Sequence, residues 1–228
     1  MHSLKFYYSI LMLGGASVYA LPHEKPEHIF TTIFEHNTWG DPESVSGDGS
    51  TFQATDLIRK SLPALIKNYS IQSVLDIPCG DFNWLKKVDL GTCFYIGMDI
   101  VEPLINKNNN QYARPLRIFK QGDALTTRLP KVDLILCRDL FCHFDFDSIF
   151  AALRNFKRSG SQYLLVTVQQ YVEYNGDIPM GEWRPLDFQK TPFNFPAPRC
   201  LLSDRERVQD VEGTTKYLGL WLLDELPL

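Results

Sequence analysis

Between residues 73 and 169 the chain alternates short apolar runs with longer mixed stretches. Segments 73–77, 94–100, 116–120, 132–137 and 163–169 are dominated by Val, Leu, Ile and aromatic side chains. Apolar runs of that length, without a polar residue at every second position, are expected of strands buried on both faces. The stretches between them, 82–88, 102–112 and 145–158, are candidate helices. Strands alternating with helical connections predict parallel pairing and a doubly wound α/β sheet with helices on both faces. Two further runs, 199–203 and 216–224, predict closing strands at an antiparallel edge, about seven strands in all.

Upstream of this pattern, 23–36 reads as a short amphipathic helix. Residues 37–50, rich in Gly, Ser, Asp and Pro, read as a loop. Phe52, Leu57, Ile58, Leu62, Leu65 and Ile66 give 51–67 an apolar stripe near helical spacing, with Pro63 expected to end or kink that helix. The first residues differ again. After Lys5, Phe6 to Val18 is an uncharged apolar run, and Val18 and Ala20 fit the −3 and −1 positions of a signal-peptidase cut. The run is short for a membrane span, which needs about 20 apolar residues. Residues 1–20 are therefore read as a secretory leader, with an uncleaved anchor or a buried helix as alternatives. The expected organisation is this leader, a helical and lid segment over 21–70, and the α/β domain over 71–228.

Composition narrows the partners. A net charge of −4, with no Lys/Arg cluster longer than a pair, gives no basic face for a nucleic-acid backbone. The five cysteines are odd in number and show neither CxxC nor zinc spacing, so no metal site is predicted. They resemble the thiols of a reduced compartment, which pulls against the leader. Localisation is thus expected to be secreted or periplasmic if the leader is used, and cytoplasmic otherwise. Asn68-Tyr69-Ser70 is a glycosylation sequon, meaningful only in a eukaryotic secretory chain.

Ligands of an open α/β sheet bind beyond the carboxyl ends of the strands, and three successive strand ends here carry acids. The first ends in Asp76, followed by Ile77, Pro78, Cys79, Gly80 and Asp81. Gly80 permits a tight turn and a close backbone approach, and a helix start near Asp81 would turn free N–H groups toward a ligand. Asp99, nineteen residues after Gly80 and followed by Ile100, can accept two ribose hydroxyls. Asp123 follows the third strand and suits an exocyclic amine of adenine, with the backbone of Ala124 on a ring nitrogen. Each acid alone is more often a turn residue. Their recurrence at three strand ends points to a nucleoside site.

The run of motifs LDIPCGDF, YIGMDI, QGDAL and VDLILCRDLFCHF resembles the class I S-adenosylmethionine-dependent methyltransferases. The stretches 37–50 and 175–196 are similar to a small, little-characterised bacterial group within them. The resemblance implies a Rossmann-like sheet in the order 3-2-1-4-5-7-6 and S-adenosylmethionine as cofactor. It matches Asp76, Pro78 and Gly80 to the first motif, Asp99 to the ribose acid and Asp123 to the adenine-side acid. Pro78 and Phe82 stand where many members carry Gly, so this loop is stiffer than usual.

The loop after the fourth strand would face the methyl group. Asp139 or His143 is a candidate general base on a hydroxyl or amine. Alternatively, Asp139 and Arg138 orient the cofactor's methionine end while His143 caps a helix or packs. Loop 37–50, with Trp39, Ser46 and Gly47, is a candidate lid or else a plain linker. Asn175 and Arg184 are candidate acceptor contacts, Arg184 for a carboxylate or phosphate; Tyr171, Tyr174 and Trp183 beside them either stack on a substrate or pack. The expected acceptor is a small molecule, glycan or protein. Two other readings compete: an exported, non-catalytic binding protein that keeps the fold, and an NAD-dependent oxidoreductase. The latter lacks its Gly-x-Gly-x-x-Gly, which the run Pro78-Cys79-Gly80-Asp81-Phe82-Asn83 does not offer. The leader makes one direct prediction. Amino-terminal sequencing of the native protein should begin at Leu21, and an intact Met1 would leave the uncleaved anchor and the buried helix.

Overall fold

The computed structural model describes residues 25–204 and 215–228; the leader expected over 1–20 lies outside them. Seven strands form one sheet: β1 (Ser73–Asp76), β2 (Phe94–Asp99), β3 (Arg117–Gln121), β4 (Leu134–Cys137), β5 (Tyr163–Gln170), β6 (Cys200–Ser203) and β7 (Thr215–Leu222). Their order is β3-β2-β1-β4-β5-β7-β6, as the resemblance implied. β1 to β5 are parallel, and β7 lies antiparallel between β5 and β6. Four α-helices accompany them: α1 (Pro26–Glu35), α2 (Asp56–Asn68), α3 (Glu102–Tyr112) and α4 (Phe146–Arg158).

The apolar strands follow from two cores, one on each face of the sheet. Side chains alternate faces along a strand. Val74, Leu134, Leu136 and Leu165 accordingly join Ile58, Leu62 and Leu65 of α2 and Ile105 of α3. Their neighbours Leu75, Ile135, Cys137, Leu164 and Val166 join Ile149, Leu153 and Phe156 of α4 on the other side. Apolar side chains dominate both faces, and the acids of the cleft lie at the strand ends.

Local departures from expectation have physical causes. Pro63 does not end α2, which begins at Asp56 rather than 51 and continues to Asn68. The apolar side chains Leu62, Leu65 and Ile66 on either side of Pro63 are buried and hold the helix against the sheet. β4 starts at Leu134 and not at 132, because Asp133 instead accepts from Gln72 N, Ser73 N and Ser73 Oγ and pins the start of β1.

The helix expected over 82–88 shrinks to a 3-10 turn, Leu85–Lys87. The reason is Phe82, which takes φ +58°, a region costly for a residue with a Cβ. Its ring is buried, with Tyr95, Tyr112 and Phe119 at centroid distances of 5.2, 5.4 and 5.2 Å. The Arg117 guanidinium sits 4.6 Å from the same centroid. Aromatic packing thus outweighs local preference. Phe82→Ala should lower the unfolding free energy by about 3–5 kcal/mol, read from urea denaturation followed by circular dichroism.

Candidate functional site

The carboxyl ends of β1 to β4 open into a cleft with a cavity volume of about 120 Å³. Its walls include Asp76, Pro78, Gly80, Asp81, Asp99, Ile100, Asp123, Ala124, Arg138, Asp139 and His143, which the sequence had placed at separate strand ends. Trp39 and Ser46 line it as well. Pro26, Phe30 and Phe34, one turn apart on α1, form a wall that the sequence reading missed. α1 bridges the opening. Glu27 accepts from Gln121 Nε2 at 3.1 Å at one end, and Phe30 meets Phe144 at a 5.9 Å centroid distance further along.

The motif loop holds the lid. Asp81 accepts from Ser44 Oγ (3.0 Å) and Val45 N (3.2 Å), while its own N–H donates to Ser46 Oγ at 3.1 Å. Asn83 donates to Glu43 Oε1 and to Ser50 O. At Gly80 (φ +53°) a Cβ would lie 2.3 Å from Ser46 Oγ. The close approach that requires glycine is therefore to the lid. The N–H groups expected to be free are also committed, since Gly80 N donates to Asp99 Oδ2 at 3.0 Å. Gly47 (φ +87°) packs beneath Trp39 and does not itself line the cleft.

Asp99 is nearly buried. Backbone N–H groups of Gly80, Val101 and Ile100 surround its carboxylate. A carboxylate offers about four acceptor positions, so one is left for a hydroxyl. Burial, opposed by these N–H groups, raises it to about 6. Asp76 accepts the Tyr95 hydroxyl at 2.6 Å, and burial lifts its carboxyl to about 7. Asp123 uses Oδ1 on Leu125 N and Oδ2 on the Thr126 hydroxyl, each at 2.8 Å, and retains a lone pair on each oxygen. These acids, spaced along one wall beside Ile100, Ala124 and the glycine loop, fit the sugar, base and amino group of an adenosyl cofactor.

Beyond β4, two cations meet two carboxylates. Arg138 makes a bidentate pair with the fully buried Asp204 at 3.0–3.1 Å and reaches Asp139 at 3.1 Å. It also donates to Gly49 O at 2.8 Å and lies over the Trp84 ring. Lys216 Nζ bridges Asp139 (2.5 Å) and Asp204 (2.9 Å). Burial alone would raise the Asp139 carboxyl, but Arg138 and Lys216 outweigh it and hold the group far below the usual range. A carboxylate so stabilised is a poor proton acceptor, and Asp139 fits the positioning role rather than the base. Asp204 and Lys216, on β-edge segments far away in sequence, carried no motif by which to find them.

His143 is placed differently. Its Nδ1 lies 2.9 Å from Glu182 O, and a carbonyl only accepts, so Nδ1 carries the proton. Nε2 is then the basic nitrogen, without a hydrogen-bond partner among the described residues. Its ring stacks on Trp39, centroids 5.2 Å apart and planes 29° apart. Burial lowers its pKa, partly offset by the Glu182 carbonyl and Asp139.

Two expected contacts lie elsewhere. Arg184 spends its guanidinium on the carbonyls of Gly176 (2.9 Å), Phe141 (2.7 Å) and Phe144 (2.6 Å). Asn175 clamps Asp187 and Thr191 through its side-chain amide. Neither lines the cleft; both fasten the segment after β5 against the β4 loop. Among the described residues no group of three or more His, Cys, Asp or Glu side chains could hold a metal ion. No helix of the described residues is long and apolar enough to cross a membrane.

Comparison with known proteins agrees with this geometry. Residues 75–164 match the family model described as a methyltransferase domain. A Leishmania major S-adenosylmethionine-dependent methyltransferase is similar at TM-score 0.63 and 14% identity, covering 85% of this chain and 83% of that one. Magnesium protoporphyrin IX methyltransferase from Synechocystis, solved with bound S-adenosylmethionine, gives TM-score 0.55 and 12% identity over 90% and 99% of the two chains. A Pyrococcus horikoshii protein gives TM-score 0.54 and 17% identity over 82% and 98%. At these identities the structural likeness is one of fold. No curated protein sequence matches the chain significantly. The sheet order and the acid-lined cleft agree with the family match: residues 75–164 carry a methyltransferase domain, within a fold shared with S-adenosylmethionine-dependent methyltransferases.

The raised carboxyls make a prediction. Asp76 and Asp99 bind protons more tightly folded than unfolded, where a carboxyl titrates near 3.8. Their stabilisation is complete below that value and is lost as pH rises through about 6 and 7. The melting temperature of the unliganded protein should fall between pH 5 and pH 8. Asp76→Asn, uncharged throughout, should flatten that slope in differential scanning calorimetry.

Proposed function

We propose that the protein methylates a small-molecule acceptor within the α1-covered cleft, with His143 as general base. Asp99 would accept a ribose hydroxyl, Asp123 and Ala124 would hold the adenine, and Asp76 with the glycine loop the methionine end. The cofactor supplies an electrophilic methyl group on a sulfonium. The observation that carries the reading is the placement of His143. One nitrogen is locked as a donor on Glu182 O and the other is left basic, in the same cleft as the acids. A lowered pKa keeps the imidazole neutral at physiological pH, ready to take a proton from an acceptor. Arg138, Asp139, Asp204 and Lys216 keep that end of the cleft rigid. The closed lid excludes water, and positioning supplies a further share of the rate.

Titration calorimetry of the full chain with S-adenosylmethionine is expected to give micromolar affinity, abolished by Asp99→Ala. Absence of heat at millimolar ligand would overturn the reading. Once an acceptor is in hand, His143→Ala should lower kcat by about 10²–10⁴ with cofactor affinity unchanged. Because burial depresses the imidazole, the acid limb of the pH–rate profile should fall below the ordinary histidine value of 6.5.

A further inference from the structure

The cleft holds more wall than an adenosyl group needs, and that surplus has a distinct chemistry. Once the residues assigned to sugar, base and amino acid are set aside, the lining at the β4 end is Phe30, Phe34, Trp39, Leu140, His143 and Phe144. Four of these six are aromatic hydrocarbon or indole rings. Trp39 and His143 already stand as a stacked pair, 5.2 Å between centroids and 29° between planes, in the cleft wall. Rings with that spacing extend naturally by one more flat partner.

Charge points the same way. Every cation near this end is spent. Arg138 and Lys216 are matched by Asp139 and Asp204, and Arg184 is consumed by three backbone carbonyls outside the cleft. The remaining ionisable groups in the lining are the His143 imidazole, the Cys79 thiol and the carboxyls of Asp76, Asp81, Asp99, Asp123 and Asp139. A phosphate or carboxylate on the acceptor would enter this wall without a counter-charge, at the cost of an uncompensated desolvated anion. Access is limited too, because α1 spans the opening and the lid is tied down through Asp81.

A base in such a site selects the nucleophile. A neutral amine attacks through its own lone pair and needs no prior proton removal. An aliphatic hydroxyl gives its proton to imidazole only in the transition state, as in the serine–histidine pairs of hydrolases, and is poorly matched to it in acidity. An aryl hydroxyl, with the acidity of a tyrosine near pKa 10, lies within reach of a histidine base. Resting on the methyl-transfer reading above, we infer that the acceptor is an uncharged, flat aromatic molecule carrying a ring hydroxyl, bound against Trp39 and His143 between Phe30, Phe34 and Phe144. As the new bond forms between the aryl oxygen and the methyl carbon, the hydroxyl proton passes to His143 Nε2. The methyl–sulfur bond breaks with its electron pair remaining on sulfur, giving an aryl methyl ether, a neutral thioether and a charged imidazolium.

The test uses 2-naphthol, its carboxylated analogue 6-hydroxy-2-naphthoate, and cyclohexanol as probes. Binding is read by tryptophan fluorescence on the full chain, with and without S-adenosylhomocysteine; transfer is read with methyl-labelled S-adenosylmethionine. Expected are saturable binding of 2-naphthol, at least about tenfold weaker binding of the carboxylate and of cyclohexanol, and labelled 2-methoxynaphthalene as product. Trp39→Ala should weaken 2-naphthol by about tenfold, and Trp39→Phe, which keeps a ring, should restore most of it. Equal or tighter binding of the carboxylate, or no 2-naphthol binding up to about 1 mM, overturns the inference. Binding without transfer in the presence of bound cofactor overturns the hydroxyl assignment. Cofactor binding measured separately by calorimetry distinguishes these failures from failure of the methyl-transfer reading itself.

Discussion

Four charges, two of them buried and two half-buried, hold the working end of this molecule together. Arg138 leaves β4, Asp204 follows β6 and Lys216 lies in β7, yet with Asp139 they form one neutral group of two cations and two carboxylates. Any one of them left alone in this environment would be strongly destabilising. They must therefore assemble together, and in doing so they fix the β4 loop against the antiparallel edge. Arg138 also reaches Gly49 O, so the same group anchors the lid. Thr167 of β5 completes the support by exchanging hydrogen bonds with the Asp139 backbone and side chain.

That constraint separates two roles that look alike in the sequence. Asp139 and His143 stand four residues apart after the same strand, and either is a reasonable base by residue type. The ion group makes Asp139 a permanent anion, while Glu182 O fixes the tautomer of His143 and leaves its other nitrogen basic. Arg138 stands in the cleft wall but has its hydrogen bonds taken up by Asp139, Asp204 and Gly49. Its guanidinium shapes the site more than it presents charge to a ligand.

The lid has a comparable logic. Loop 37–50 and α1 contribute few fully buried side chains, and a segment of that kind would not hold its position by hydrophobic burial alone. It is positioned by polar contacts to the first motif instead, chiefly Ser44, Val45 and Ser46 on Asp81. The cofactor loop and the cover over the cleft are thus one hydrogen-bonded unit. The Asp81 carboxylate and backbone N–H make that junction.

The amino-acid sequence by itself determined the strands, their parallel alternation with helices and the acids at the strand ends, while the strand order came from the family resemblance. Burial on two faces leaves a periodicity that short-range reading detects, and Asp76, Asp99 and Asp123 mark where each strand stops. Local rules failed where long-range packing prevailed, at Phe82 held left-handed among aromatic rings and at Pro63 inside a helix pinned to the sheet. Arg184 and Asn175 were misread for a related reason. Residue type suggests a ligand contact, but the partners that consume their hydrogen bonds are backbone carbonyls brought near by the fold. Only the tertiary structure could bring Asp204 and Lys216 to Arg138, or Phe30 and Phe34 to His143. Those pairings are made by chain crossings with no sequence period, whereas the strands and their acids repeat at spacings the chain itself imposes.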